Sequence, residues 1–404
     1  MLSEQLPGDE CTSRPGCGNP AHVDIRGHAP SLRRLVSIVF VTQVVDPDDP
    51  VLGFVVPQLR ALAERCDLVV IANEVRSVPA DLPFEVISLG KETGRGTFAR
   101  GGRYLAVLWR CFRRRRTDAL VAHMCPIYLT IAAPLTRLFG ITSLLWFLHP
   151  SDTPALRIAE ALADRVITAF PDSFPHAGRK VLPIGHAIDV DALEVGPLLR
   201  PPGSPLHLLA LGRTSPIKHY CDIIDAAVAA ARRGVDLELL VVGPSTTAEE
   251  REHRQEMQRR IPDDLAPRIR IDPAVPRSEI PSVIAHTHVL VNATESGSAD
   301  KVVFEAMAAG RVTLTSSAAF AALVEPIDAR LVFPAGDVEV LSERLVELAG
   351  RTEPSLQELG ARLREQVTAE HSLEHWAQAV TTLAGQGRRR GLPGIARWFG
   401  TDSP

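Results

Sequence analysis

Cysteine is scarce and scattered in this chain. Six cysteines in 404 residues, at positions 11, 17, 66, 111, 125 and 221, do not frame a disulfide scaffold. Such sparse usage fits a reducing compartment. No Cys-x-x-Cys pair occurs. Cys11, Cys17, His22 and His28 are close in sequence, and they read as incidental residues of a tail in preference to a zinc site. An apolar leader is also missing: the first thirty residues are polar, with Gly, Pro and Asp, so no secretory signal is expected. Nor is there a clean membrane-length apolar run. The nearest, Ile127 to Leu148, contains Pro134, Arg137 and Gly140 and divides into a helix, a turn and a buried strand. Finally, no large excess of positive charge exists. A net charge of −4 gives no global reason to expect a nucleic-acid partner. These absences predict a cytoplasmic protein whose only membrane contact would be peripheral, at the inner face.

What the chain does have is room and an ordinary soluble composition. With 45% apolar and 23% charged residues, 404 residues can bury two cores. Residues 1–34 are Pro/Gly-rich and read as a disordered tail. Residues 35–199 then read as one α/β domain. LVSIVFVTQ, from Leu35 to Gln43, is a continuous β-branched run of strand length, as a central parallel strand requires. A loop with Gly53, a helix from Val55, and strand Asp67–Asn73 complete a dinucleotide-type opening. Strands ending at His123 and His149 follow. Ligands in open parallel sheets bind beyond the carboxyl ends of strands, so both histidines are site candidates as well as structural ones. Helix Phe98–Arg116 ends in Arg113, Arg114, Arg115 and Arg116, which suit either a solvated helix C-terminus or anionic lipid head groups. Asp189-Val190-Asp191 has the look of a D-x-D metal signature, but it sits in a linker and reads as coincidence, so no metal is assigned.

RPPGSPL, from Arg200 to Leu206, has no periodicity and reads as a connector. A second α/β domain is expected over 200–372, and a crossing helix with a basic tail over 373–404. Its first strand, Leu208–Leu211, runs into Gly212, Arg213 and Lys218 just before a helix. A guanidinium and an ammonium at a strand end and helix start suit a phosphate group. A strand over Leu331–Phe333 is expected further on. The tail after Arg388 is basic and amphipathic, compatible with a membrane surface or with disorder.

The stretch SGSADKVVFEAMAAGRVTLT, from Ser296 to Thr315, organises this half. It reads as loop, helix, glycine stop and strand. Ser298 or Asp300 is placed to cap the helix, and Gly310 stands where a left-handed residue ends one. Val302, Phe304, Ala306, Met307, Ala308 and Ala309 cover nearly every helical face, so the helix should be buried. Glu305 is then a carboxylate among apolar neighbours and needs a partner. Gly297, Ser298 and the free N–H groups of the helix start make an anion-accepting corner, with Lys301 beside it.

The segment GSADKVVFEAMAAG, together with GRTSPIK at Gly212–Lys218, resembles the donor-binding motifs of the family 4 glycosyltransferases. The match is at Glu305, Ala306, Met307, Ala308 and Gly310. Gly297 stands where the family's first Glu of an E-x7-E pair is common, so the chain resembles the family's Gly-Ser-x-Asp-Lys subtype. His219 and Ala187 stand where the family usually has glycine. The resemblance spans about residues 35 to 383 and implies an α/β fold of GT-B type. In that fold two Rossmann-like domains face a cleft and the C-terminal helix crosses back to the first, a crossing that Trp376 would anchor.

The implied activity is retaining transfer of a sugar from a nucleoside-diphosphate sugar to a hydroxyl of a glycan, a lipid-linked or a small-molecule acceptor. No cofactor or metal is implied. Arg213 and Lys218 would neutralise the leaving diphosphate and His149 would hold the transferred sugar, with His123 supporting on the acceptor side. Gly53, Gly212, Gly297, Ser298, Asp300, Lys301, Val302 and Glu305 would line the donor, Glu305 through the ribose hydroxyls. Two other outcomes are compatible with the same residues: a nucleotide-sugar epimerase or hydrolase on this fold, and a non-catalytic partner subunit.

Overall fold

The structure, a computed structural model, describes residues 35–49, 52–114, 116–149, 151–201, 203–294 and 300–387. The early cysteine and histidine group, Arg115, Gly297, Ser298 and the basic C-terminal segment lie outside the described residues. The described residues belong to one compact unit.

Strands β1 (Val36–Val45), β2 (Cys66–Val75), β3 (Glu85–Ser88), β4 (Ala119–His123), β5 (Thr142–Trp146), β6 (Arg165–Thr168) and β7 (Val181–Pro183) form a sheet in the order β3-β2-β1-β4-β5-β6-β7. Every pairing in it is parallel. The connecting helices are α1 (Val55–Ala63), α2 (Thr97–Arg114), α3 (Pro126–Phe139) and α4 (Pro154–Leu162). Alternation along each strand fills both faces. Val39, Val41, Val69, Ile71, Leu120 and Leu145 pack with residues of α2, α3 and α4. Ile38, Phe40, Val70, Val121, Leu144 and Trp146 pack with residues of α1 on the other side. A strand buried on both faces has no use for polar positions, which is why the sequence shows unbroken apolar runs.

A second parallel sheet contains β8 (Leu206–Leu211), β9 (Leu237–Val242), β10 (Ile269–Asp272), β11 (Val289–Asn292) and β12 (Val312–Thr315), in the order β10-β9-β8-β11-β12. Its helices are α5 (Tyr220–Arg232), α6 (Ala248–Arg259), α7 (Ile280–Ala285), α8 (Lys301–Ala308), α9 (Ala318–Val324), α10 (Val338–Ala349) and α11 (Glu353–His371). Helix α8 is buried on nearly all sides, and Gly310 ends it with φ 67°. The strand expected over Leu331–Phe333 is a 3-10 turn at Ala329–Leu331 followed by a single bridge from Val332 to Thr315. Asp328 sets that turn by accepting from Arg330 N at 3.0 Å, a local bond that competes with extended pairing.

The chain then returns. Helix α12 (Leu373–Gln386) leaves α11 through Ser372, whose hydroxyl caps it, and packs Trp376, Ala377, Val380 and Ala384 into the α1 face of the first sheet. The indole of Trp376 lies 4.5 Å from that of Trp146, and both are fully buried. Without α12 this face of the first sheet would be only partly covered, so the crossing helix is part of the first core.

Candidate active site

In a parallel sheet that winds both ways from a central strand, the loops after the two central strands diverge and leave a crevice. In the second sheet that switch point lies between β8 and β11. The loop after β8 is held tightly. Gly212 has φ 139°, and a Cβ on Gly243 would fall 1.7 Å from the Gly212 carbonyl oxygen. Only glycine permits the two strand ends to cross so closely. Thr214 is fully buried, its hydroxyl bonded to Ser245 Oγ at 2.7 Å. Arg213 beside it is 62% exposed and donates to Glu250 Oε1 at 3.1 Å. The turn ends at His219 with φ 50°, a left-handed residue where the resemblance expects glycine.

Lys218 reaches across the switch point and pairs with Asp300, the residue before α8. Ser298 or Asp300 was expected to cap this helix; Ser298 lies outside the described residues, and the Asp300 side chain makes no cap bond. Its carboxylate accepts instead from Lys218, from Asn292 Nδ2 at 2.8 Å and from Thr294 Oγ1. A full cation and two donors outcompete a backbone amide for the same oxygens. Both partners are mostly covered, with 13% and 10% side-chain exposure.

One turn into α8, Glu305 is fully buried. The demand its position makes is met by Arg277, from the 3-10 turn at Arg277–Glu279, in a two-pronged pair with Nη1–Oε2 at 3.1 Å. Lys301 Nζ is 3.8 Å from the same carboxylate. Burial pulls the Lys301 amine down to about 8, against the opposing pull of Glu305. Arg277 was not anticipated: a lone arginine in VPRSEI carries no signal that it will meet a helix 28 residues later. Val302 is half-buried against the core of the second sheet.

The first sheet brings its own switch point, between β1 and β4, to the same place. Lys301 Nζ lies 4.0 Å over the ring of Phe54, which follows Gly53 in the loop before α1. Gly53 is required by its own loop, since a Cβ there would sit 2.5 Å from Pro47 O. His123, at the end of β4, is buried, shares a hydrogen bond with Thr42 Oγ1 at 3.1 Å and packs against Phe54 and Trp146. Burial, with the nearby Lys301 cation, lowers its pKa to about 3, so the ring is neutral. His149, beyond β5, is exposed, and its Nδ1 accepts from Ser151 N at 3.0 Å. The structure therefore joins Lys218 to Asp300, Glu305 to Lys301, and Lys301 to the His123 corner. Arg213 turns to Glu250, and His149 bonds only to Ser151 N among the described residues.

Residues 205–351 match the family described as Glycosyl transferases group 1. That stretch is a glycosyltransferase domain, and the chain is a transferase enzyme. No curated protein sequence matches the chain. Among solved structures it is similar to a glycosyltransferase from Rickettsia africae ESF-5, with TM-score 0.67 and 12% identity over 87% of this chain and 98% of that one. It is similar to sucrose-phosphate synthase from Thermosynechococcus elongatus, with TM-score 0.62 and 17% identity over 87% and 98% of the two chains. It is also similar to Anabaena HepE in complex with UDP and glucose, with TM-score 0.63 and 15% identity over 87% and 100%. The fold is GT-B: two parallel sheets whose strand ends face each other, with the last helix returned to the first.

Proposed function

We propose that this chain transfers a sugar, with retention, from a nucleoside-diphosphate sugar to an acceptor hydroxyl, as the family 4 enzymes do. The observation that carries the reading is the meeting of Lys218 and Asp300 across the β8/β11 switch point, with Glu305 one helical turn away. The bound UDP of similar structures such as HepE supports a nucleotide-sugar donor.

In this reading the diphosphate takes the Lys218 ammonium, displacing or sharing it with Asp300, and Arg213 swings from Glu250 to the outer phosphate. Arg213 is exposed enough to move. Negative charge builds on the diphosphate as the sugar bond breaks, and each positioned donor of this kind lowers the barrier by roughly 3–4 kcal/mol. The proposal gives that task to these side chains and to the α8 N-terminus, not to a divalent ion. Gly297 and Ser298, outside the described residues, are assigned to the donor on the resemblance alone. Glu305 accepts the ribose hydroxyls. Its side chain is 1% exposed and covered by Arg277, so ribose entry requires Arg277, at 40% exposure, to move aside. A carboxylate has about four lone-pair directions, so Glu305 can keep one arginine bond while accepting two hydroxyls. On the first domain, exposed His149 would give up its bond from Ser151 N to turn to the transferred sugar, and His123 shapes the wall. Retention places the acceptor on the leaving-group face, with the donor phosphate taking its proton. The acceptor hydroxyl belongs to a glycan, a lipid-linked or a small-molecule acceptor. We place the enzyme in the cytoplasm, with the arginine-rich end of α2, where Arg113 lies over the Trp109 ring, as the face that would meet anionic head groups.

The test is donor consumption over UDP-, GDP- and dTDP-sugars with and without an acceptor extract. Turnover that needs acceptor supports transfer. Consumption of donor alone would instead mean hydrolysis or epimerisation, and binding without any turnover would mean a non-catalytic subunit.

A further inference from the structure

A cavity lies at the opposite end of the second sheet from the donor loops. It encloses about 230 Å³ beneath the connector, at the start of β12 and the end of α8. Three arginines line it: Arg200, Arg311 and Arg364. Each is fixed by backbone carbonyls. Arg311 is 5% exposed and donates through Nε to Ile284 O and through Nη2 to Gly196 O and Ala285 O. Arg364 donates through its Nη atoms to Ala308 O and Val190 O, and Arg200 through Nε and Nη1 to Ser204 O and Ala349 O. Each guanidinium thus keeps one nitrogen with no protein acceptor among the described residues: Nη1 of Arg311, Nε of Arg364 and Nη2 of Arg200. Arg311 and Arg364 have no carboxylate partner there either.

The carboxylates on the cavity wall are already spoken for or turned outward. Glu353 accepts from Arg200 N at 3.2 Å and Gln357 Nε2 at 2.7 Å, and Glu194 is exposed. His288 also lines the wall, 8% exposed. Its Nδ1 accepts from His207 N at 2.9 Å, so its Nε2 carries the proton, and that N–H has no partner among the described residues. Burial chiefly, with smaller contributions from His207, Arg200 and Arg311, lowers the His288 pKa to about 4 and keeps the ring neutral.

A nearly buried guanidinium without a counter-charge is costly. Planar N–H forks of this kind match phosphate oxygens. We propose that this cavity is a second ligand site, separate from the donor site, that binds a phosphate group. Its volume exceeds one phosphate and leaves room for a small organic portion.

The test is calorimetric titration of the full chain in chloride buffer, with inorganic phosphate and with a hexose monophosphate. It is run in the Lys218→Ala background, so that the donor corner has lost its ammonium. Ala361 lines the cavity from an exposed position on α11, where a larger side chain does not disturb the core. Ala361→Glu places a negative charge in the cavity and should weaken binding at least tenfold. A tighter fit for the hexose monophosphate identifies a phosphorylated small molecule as the ligand class, and equal affinity identifies the free ion. The proposal is overturned if neither compound binds at about 10 mM, which is weaker than any specific site warrants, or if Ala361→Glu binds as its parent does. Because no turnover is measured, failure here and failure of the transferase reading are separate results.

Discussion

The pair between Arg277 and Glu305 decides whether α8 can hold a buried carboxylate, and its worth can be worked out. At 3.1 Å, two unit charges attract by roughly 5 kcal/mol at an effective dielectric of 20. Arg277 is 40% exposed, so solvent screens a good part of this, and Lys301 remains 3.8 Å from the same carboxylate when Arg277 is gone. The net coupling should be about 2–3 kcal/mol, below the range for wholly buried pairs. The perturbation is a double-mutant cycle of Arg277→Met and Glu305→Gln, both close in size to the native side chains. The Trp residues among those described, 109, 146 and 376, lie in or against the first sheet, so tryptophan emission reports on the wrong half. Amide hydrogen exchange within α8 reports on the right one. The single variants should each lower α8 protection, and the double variant should cost about 2 kcal/mol less than their sum. Additivity within about 0.5 kcal/mol would refute the pairing and the account of Glu305 built on it.

Three other outcomes follow from the same structure. His123 and His371 are held near pKa 3, chiefly by burial, against about 6.5 when unfolded. The unfolded chain therefore binds more protons below about pH 6.5, so stability should fall as pH drops toward 3. At pH 5.5 the two should together cost about 3 kcal/mol relative to pH 7.5. His176, raised by its bond to Glu160, works in the other direction. Denaturant titrations from pH 7.5 to 5 check this, and a flat profile that His371→Leu leaves unchanged would contradict it. Ala187 has φ 56°, where an L-residue is strained by roughly 1–2 kcal/mol. Ala187→Gly should raise stability by about 1 kcal/mol in denaturant unfolding, and a loss would mean that the methyl packs better than the backbone suffers. Trp376→Ala removes the indole that seats α12 on the first sheet and should cost about 3–5 kcal/mol, with early protease cleavage near Ser372. An unchanged cleavage pattern would mean that α12 docks by other contacts.

Much of the fold was open to reading because burial on both faces writes itself as continuous apolar strands. Leu35–Gln43 and Asp67–Asn73 lie within or nearly within β1 and β2 for that reason. The glycine stop at Gly310 and the anchor at Trp376 were legible because each rests on one physical demand, a left-handed backbone and a large buried ring. Helix α4 was not anticipated. Its Pro154 and Thr153 are a start signal, and Thr153 Oγ1 does cap Leu156 N at 3.2 Å. Side-chain partners were the least legible. Asp300 offers the same atoms to a helix cap or to Lys218, and only the meeting of two distant loops decides between them. Arg277 and Glu305 lie 28 residues apart, and nothing local to either announces the other. Gly53 shows the reverse: the glycine was noticed for a possible ligand, while its loop's own carbonyls require it.

In the proposed reaction the switch point of the second sheet meets the charge of a sugar diphosphate. The most direct measurement is turnover by the Lys218→Ala and Arg213→Ala variants, with the donor that the wild-type chain accepts held at saturation. Each variant should lower kcat by about 100- to 1000-fold while the KM for acceptor stays within about twofold. Unchanged kcat in both variants, or equal effects on kcat and acceptor binding, would contradict the account.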